Sequence, residues 1–417
     1  MKPNEKLNTH WRRDGKATRD LPPGWPLPPG APPKHQIRVV VAMSGGVDSS
    51  VAAALLKEEG YDVIGITMQL WPSDLPFGER SESGCCSLTA VEDARRVAYK
   101  LGIPYYVVNF QEPFQEAVID VFVEEYLRGE TPNPCLVCNQ KVKFGMLLQK
   151  AMELGADYVA TGHYARIGYD PQRGRYVVRK SADPHKDQTY TFYGQTQEQL
   201  ARTLTPCGDY TKEEIRRMAL EMGLGVGLKP DSQEICFIPD NDYRRFLREY
   251  RPEAHKPGPI VDKTGKRLGT HDGIAFYTVG QRKGLRISSS ERLYVIAIDE
   301  ENNALVVGTE DDVFGTTLAV RDVNWVSTGP IDGPVRVQAK IRYNAEPADA
   351  VIYPGENGEI ITRLIEPQRA ISPGQAVVWY DGDFVVGGGV IDRQLPDSAA
   401  GGNIRQPAGH TIAAGTR

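Results

Sequence analysis

The sequence predicts an α/β fold: a parallel-sheet domain followed by two small, mainly β domains. Three observations carry this. From about 37 to 225, buried-strand runs alternate with apolar residues at helical spacing. Beyond roughly residue 250 the pattern changes to short alternating strands divided by Gly, Pro, Asp and Asn. A length of 417 residues also exceeds one core of roughly 150 residues.

The first 36 residues include Pro22, Pro23, Pro26, Pro28, Pro29, Pro32 and Pro33 with scattered charges, and read as a disordered tail. They lack the apolar core of a secretory signal; Arg12, Arg13 and Arg19 leave a transit peptide open, against which Glu5, Asp14 and Asp20 count. Val39-Val40-Val41-Ala42-Met43 is then a buried strand. It runs into Ser44-Gly45-Gly46-Val47-Asp48-Ser49 and a helix beginning near Ser50. Val63 to Met68, Tyr105 to Val108 and Tyr158 to Thr161 read as further buried strands. Val91, Ala94, Val97, Ala98 and Leu101 mark a covering helix. Ile215, Met218, Ala219 and Met222 mark another, opened by a Thr211/Glu214 capping box and stopped at Gly223.

In the back half, Arg292 to Ile298, Val335 to Tyr343 and Ala376 to Tyr380 alternate as strands. Glu310-Asp311-Asp312 and Gly315 interrupt the series near Phe314. The expected organisation is a tail over 1–36, a catalytic domain over 37–245, a central β-rich domain over 246–314, a last β domain over 315–393 and a Gly- and Ala-rich tail over 394–417.

The loop after the first strand points to chemistry. Glycines let backbone N–H groups close around phosphate oxygens, and Ser44, Ser49 and the helix N-terminus add donors for an anion. The loop should therefore cradle the phosphates of ATP. It lacks the Lys-Ser/Thr ending of a Walker loop, which disfavours ordinary phosphoryl transfer; Asp48 is read as orienting Mg²⁺ against a pyrophosphate.

Composition limits the partners. With 25% charged and 40% hydrophobic residues, and no apolar run near the roughly 20 residues of a membrane span, a cytoplasmic globular protein is expected. A net charge of −5 argues against broad nucleic-acid affinity, so any RNA site must be local. Lys263, Lys266, Arg267, Arg282, Lys283, Arg286 and Arg292, against Asp272 and Glu291, form such a patch, with a solvated basic face as the alternative.

Six cysteines in a long chain of this kind are not a disulfide framework. Cys135 and Cys138 lie in Thr131-Pro132-Asn133-Pro134-Cys135-Leu136-Val137-Cys138-Asn139, read as a proline-stiffened loop ahead of a helix from near Val142. No second Cys-x-x-Cys or histidine pair completes a zinc site. Cys207 reads as a packing residue, and the adjacent Cys85 and Cys86 as structural with some scope as a thiol reservoir. Cys236, in Asp231-Ser232-Gln233-Glu234-Ile235-Cys236-Phe237, could cross to Cys138. Two thiols over an activated carbonyl suggest sulfur transfer, with a persulfide delivering sulfur and the second thiolate releasing it as a disulfide forms.

The segments Ala42 to Ser49, Thr131 to Asn139, Thr161-Gly162-His163-Tyr164-Ala165-Arg166, Lys186-Asp187-Gln188, Asp231 to Phe237, Gly280-Gln281-Arg282-Lys283-Gly284-Leu285 and Ser372-Pro373-Gly374-Gln375 carry a resemblance. Through the first of them the chain resembles the PP-loop (adenine nucleotide alpha hydrolase-like) ATP pyrophosphatases. Over about 38 to 392, taken together, they resemble the tRNA-specific 2-thiouridylases. That resemblance implies a last domain built as a β-barrel. It also implies 2-thiolation of the wobble uridine of tRNA, by adenylation of the C2 oxygen and sulfur from a protein persulfide. The implied partners are tRNA and a sulfur-donor persulfide protein, such as a cysteine desulfurase or sulfur-relay protein. By position, Cys138 is implied as nucleophile and Cys236 as persulfide carrier. Ala42, Met43, Ser44, Gly45, Gly46, Val47, Asp48, Ser49, Met68 and Gly162 would contact ATP. Asn133, Pro134 and Cys135 would border the target base; His163, Lys186, Asp187, Gln188, Arg342, Tyr343 and Gln375 match tRNA-contact positions, although Asp187 suits orienting its neighbours better than touching RNA. Some family members carry Asp in place of Cys135. The alternative here is therefore a [4Fe–4S] cluster on Cys135, Cys138 and Cys236. A PP-loop synthetase that amidates a metabolite and an RNA-binding protein with structural ATP are the remaining rivals.

Overall fold

The computed structural model describes residues 32–70, 88–230, 235–238 and 240–396. Most of both tails, Cys85, Cys86 and Asp231 to Glu234 lie outside the described residues. The chain already packs at Lys34, whose ammonium pairs with Glu59 at 2.6 Å and lies 5.2 Å from the Tyr61 ring centroid.

The first sheet is parallel throughout. It takes β1 (Arg38–Ala42), β2 (Asp62–Gln69), β3 (Tyr105–Asn109), β4 (Tyr158–Ala160) and β7 (Thr203–Leu204) in the order β3-β2-β1-β4-β7. Helices α1 (Val47–Glu58) and α2 (Leu88–Leu101) cover one face, α2 burying Ala90, Ala94, Val97 and Ala98. The Thr211/Glu214 box caps the helix Lys212–Glu221 in both directions, and Gly223 follows with φ +60°. β3 corrects one expectation: it is an edge strand, with Tyr106 56% and Val107 40% exposed, because among the described residues no strand lies beyond it. An apolar run alone does not distinguish a central strand from an edge.

Two helix starts also differ from the sequence reading. α1 begins at Val47, after an extended Gly46 N-cap, so Asp48 and Ser49 occupy its first turn. The helix dipole favours an acid there, and polar residues at that place concealed the true start. The cysteine segment is helical from Pro134: Asn133 is the N-cap, Pro134 takes the first helical position, and the helix runs through a π segment, Cys138–Met146, to Glu153.

The central sheet joins β8 (Gly258–Asp262), β9 (Arg267–His271), β10 (Tyr294–Asp299) and β11 (Ala304–Gly308) in the order β10-β11-β8-β9. The last is a closed six-stranded barrel of β12 (Phe314–Trp325), β13 (Val335–Lys340), β14 (Ala348–Pro354), β15 (Ile360–Arg369), β16 (Ala376–Asp381) and β17 (Phe384–Leu395), with β12 paired to β17. β13 ends at Lys340, short of the Tyr343 expected from sequence.

Period-2 alternation divides β16 between two cores. Val377 and Trp379 point into the barrel, whereas Ala376, Val378 and Tyr380 pack against Tyr190, Phe192 and Tyr193 of the first domain. A hairpin from that domain, β5 (Arg166–Asp170) with β6 (Arg175–Arg179), joins the barrel through Arg179 opposite Phe384. Among the described residues no helix is long and apolar enough to cross a membrane.

Candidate active site

The loop between β1 and α1 is held from both sides. Met43 N–H donates to Ile66 O at 2.8 Å, and Thr67 Oγ1 donates to Met43 O at 2.6 Å, so β2 grips the strand's exit. Ser44 N–H donates to Ser49 Oγ at 3.1 Å and closes the turn. Gly45 has φ +68°, and a Cβ there would lie 2.1 Å from Ala90 O. Gly162, just past β4, would place a Cβ 2.5 Å from the Asp48 carbonyl carbon. Adjacent strands thus deliver the loop and Gly162 together at their carboxyl ends, the usual ligand edge of an open α/β sheet. The Met43 side chain is buried against Gly65, and both its backbone groups are engaged by β2. Met68 is half-buried at the end of β2. Gly45→Ala combines a disfavoured backbone with a backbone collision and is expected to cost about 1–3 kcal/mol of stability. ATP binding should fall with it; a melting curve and an ATP titration check both.

Asp48 is already engaged. Lys212 Nζ donates to Oδ1 at 2.7 Å and to Oδ2 at 2.8 Å, and the Tyr164 phenol donates to Oδ1 at 2.7 Å. The carboxylate thus already faces an ammonium. Lys212 is 8% exposed, and sequence reasoning missed it. A signal existed: a cation in the first helical turn opposes the helix dipole, so its presence there calls for a partner elsewhere. Lys229, also missed, donates to Gly45 O at 3.1 Å and to Asp93 at 2.8 Å, tying the loop to α2. Cys207 is fully buried as expected, and its thiol donates to Asp48 O at 3.3 Å; burial first, then the Asp48 charge, pushes that thiol well up.

Cys135 and Cys138 lie three residues apart at the start of their helix, Cys135 exposed and Cys138 9% exposed. Cys236 is half-buried in a turn closed by Ile238 N–H to Ile235 O at 2.9 Å. Its neighbour Phe237 anchors that turn, with ring centroids 5.9 Å from Phe114, 5.3 Å from Phe122 and 5.5 Å from Phe246. Cys138 belongs to the same apolar cluster, and Cys236 packs against it, together with Val40, Ile66 and Met68 from the sheet. Both thiols therefore border the cluster beneath β1 and β2, whereas Met43 and Val47 of the loop pack with α1 in a second cluster. Among the described residues no group of three His, Cys, Asp or Glu side chains is placed to hold a metal ion. Cys135, Cys138 and Cys236 are not brought together as the ligand set that a [4Fe–4S] cluster needs.

The residues matched to tRNA contacts divide into two groups. Tyr343 is 36% exposed, its pKa raised by burial and by the Asp187 and Cys135 charges, against a hydrogen bond with Gln188. The Cys135 and Asp187 charges and the Gln188 side chain thus all bear on Tyr343. Lys340, absent from the sequence reading, lies 5.9 Å from the Tyr343 ring centroid. Lys186 is half-buried beside this group in sequence.

The other matched residues hold the structure itself. Asp187 accepts from Ser181 N–H at 2.9 Å and Thr189 Oγ1 at 2.5 Å, the orienting role its charge suggested. Gln375 Nε2 donates to Thr131 O at 2.8 Å, and Arg321 reaches both Glu130 oxygens at 3.1 Å, so the barrel clasps the segment before Asn133 and Pro134. Arg342 donates to Arg369 O. His163 packs on Phe144 and Phe192 with Nδ1 2.8 Å from Thr161 Oγ1; burial, then Lys143, holds its pKa well below the ordinary value, leaving it neutral. In the basic patch Lys263 pairs with Asp312 at 2.7 Å and Arg286 with Asp272 at 3.4 Å, while Arg282, Arg286 and Arg292 line one cavity.

Three family descriptions match in succession: a tRNA methyl transferase HUP domain over residues 37–240, a tRNA methyl transferase PRC-barrel domain over 244–309 and an aminomethyltransferase beta-barrel domain over 315–391. The chain is 58% identical to the tRNA-specific 2-thiouridylase MnmA of Heliobacterium modesticaldum over 86% of this chain and 93% of that protein. It is 57% identical to tRNA-specific 2-thiouridylase MnmA 1 of Thermoanaerobacter sp. over 87% of this chain and 100% of that protein. Identity to the MnmA of Acetivibrio thermocellus is 56%, over 85% of this chain and 99% of that one.

Proposed function

The chain belongs to the tRNA-specific 2-thiouridylase family, and from that premise we propose that it converts a tRNA wobble uridine to 2-thiouridine with ATP and persulfide sulfur. The observation that carries this reading is the shared core. One apolar cluster borders Cys138, Cys236 and the strands whose ends present the phosphate loop.

The uridine flips out of its stack to lie beside Asn133, Pro134 and Cys135. Its O2 attacks the α-phosphate of ATP, and pyrophosphate leaves. The backbone of Ser44 to Ser49, the N-terminus of α1 and Lys212 stabilise the developing charge. Mg²⁺, when present, supplies further neutralisation on the phosphates. The terminal sulfur of a Cys236 persulfide then attacks C2, and AMP departs with the former O2. Cys138 thiolate attacks Cys236 Sγ, the thiouridine leaves as its thiolate, and a Cys138–Cys236 disulfide remains for an external dithiol to reduce.

The domain descriptions speak of methyl transfer. A glycine loop built for phosphates and two cysteines on its core favour sulfur transfer instead. Incubation with unmodified tRNA, ATP and a persulfide donor should yield 2-thiouridine and one pyrophosphate for each. Pyrophosphate release without thiolation under full sulfur supply would sink the reading.

A further inference from the structure

Tyr164 joins the nucleotide loop to the surface beside Cys135. The residue is 3% exposed, and both its ends are engaged. Its phenol donates to Asp48 Oδ1 at 2.7 Å, on the carboxylate that holds Lys212; the Lys212 ammonium also lies 5.7 Å from the ring centroid. Its backbone exchanges two bonds with Gln188: Tyr164 N–H donates to Gln188 Oε1 at 2.9 Å, and Gln188 N–H donates to Tyr164 O at 2.9 Å. The Gln188 side chain and the Cys135 charge both act on the Tyr343 phenol of the barrel domain, so Gln188 lies between Tyr164 and that surface. Hydrogen bonds therefore run from Lys212 through Asp48 and Tyr164 to Gln188, whose side chain acts in turn on Tyr343 of the barrel domain.

We propose that Tyr164 and Gln188 are positioning residues that couple RNA bound at Cys135 and Tyr343 to the Asp48–Lys212 pair, so that tRNA strengthens ATP binding. The inference rests on the sulfurtransferase reading, which places RNA on this surface. Its physical basis is charge. A carboxylate facing a triphosphate repels it unless a cation is shared between them, and Lys212 can be shared only when Asp48 is held in the right rotamer. The Tyr164 phenol holds that rotamer, and the Gln188 bonds fix the backbone that carries the phenol. An RNA base or phosphate engaging Tyr343 presses it against the Gln188 side chain and tightens the Gln188 bond to Tyr164 N–H, and the change reaches Asp48 through the buried Tyr164 ring. Linkage requires reciprocity: ATP must strengthen tRNA binding by the same factor.

The test is a thermodynamic cycle with a non-hydrolysable ATP analogue. Its Kd is measured with and without saturating unmodified tRNA, and the Kd of tRNA with and without saturating analogue. Wild-type protein should show a coupling of about tenfold in both directions. Tyr164→Phe, which keeps the ring and removes the phenol, should reduce the coupling to about twofold, whatever it does to either affinity alone. Direct contact between tRNA and nucleotide is common to both proteins and cancels from the comparison. A purely structural role would weaken both affinities and leave their ratio intact. Should Tyr164→Phe fail to fold, Gln188→Leu reads the same ratio. Wild-type coupling retained in the folded variant, or no coupling in a wild-type protein that thiolates tRNA, overturns the proposal. Wild-type protein that neither binds nor thiolates tRNA overturns the sulfurtransferase reading as well.

Discussion

Cys236→Ser should lower tRNA thiolation by about 10⁴-fold, to background, while tRNA-dependent pyrophosphate release continues. A hydroxyl cannot carry a persulfide, yet it fits the same half-buried turn, and Phe237 still anchors the segment in its aromatic pocket. Chemistry is removed and structure kept. Cys138→Ala should fail at a different step: sulfur reaches C2, but nothing cleaves the sulfur–sulfur bond, so tRNA remains attached to Cys236. A non-reducing gel should show that adduct for Cys138→Ala, and dithiothreitol should release thiolated tRNA from it. Equal activity of Cys236→Ser and wild type would remove the persulfide from the mechanism.

Lys212→Met should have the second-largest effect. Methionine keeps much of the aliphatic volume in the 8% exposed site but strips the cation from Asp48, whose two oxygens lie 2.7 and 2.8 Å from the ammonium. An unpaired carboxylate then faces the incoming phosphates, and the charge developing on pyrophosphate loses a donor. Adenylation should fall by about 10²–10³-fold, with a raised KM for ATP as well as a lowered kcat. Lys212→Arg should recover part of the activity. Initial-rate pyrophosphate assays with varied ATP check this, and wild-type rates for Lys212→Met would show that the pair only serves the fold.

How much of this was legible beforehand depends on the range of the interactions concerned. Strand and helix periodicity is local, and so β1, β2, α2 and the capping box at Thr211 could be read from neighbouring residues. The phosphate loop was equally plain, because its glycines and hydroxyls are contiguous. Starts of helices were not: Asp48 and Pro134 belong to first turns that pattern alone assigns to loops. Lys212 and Tyr164 were missed for a different reason. Each meets Asp48 across more than a hundred residues of chain, at separations of 164 and 116, and no spacing rule reaches that far. The resemblance carried Gln375, Gln188 and Asp187 as RNA contacts; the structure gives each an internal hydrogen bond that family position cannot reveal.

The clasp between the barrel and the cysteine segment also bears on how the polypeptide matures. Thr131 waits for Gln375, 244 positions later, and β6 has no partner on its barrel side until β17 exists. During synthesis the parallel sheet can assemble early, yet the outer aromatic layer of Tyr190, Phe192 and Tyr193 stays open until β16 arrives. Such long-range closure is slow and leaves a nascent chain prone to aggregation. Chaperone demand should therefore concentrate in the final stretch of translation, and a ribosome stalled before β17 would hold a chain that has its phosphate loop but not its finished cleft.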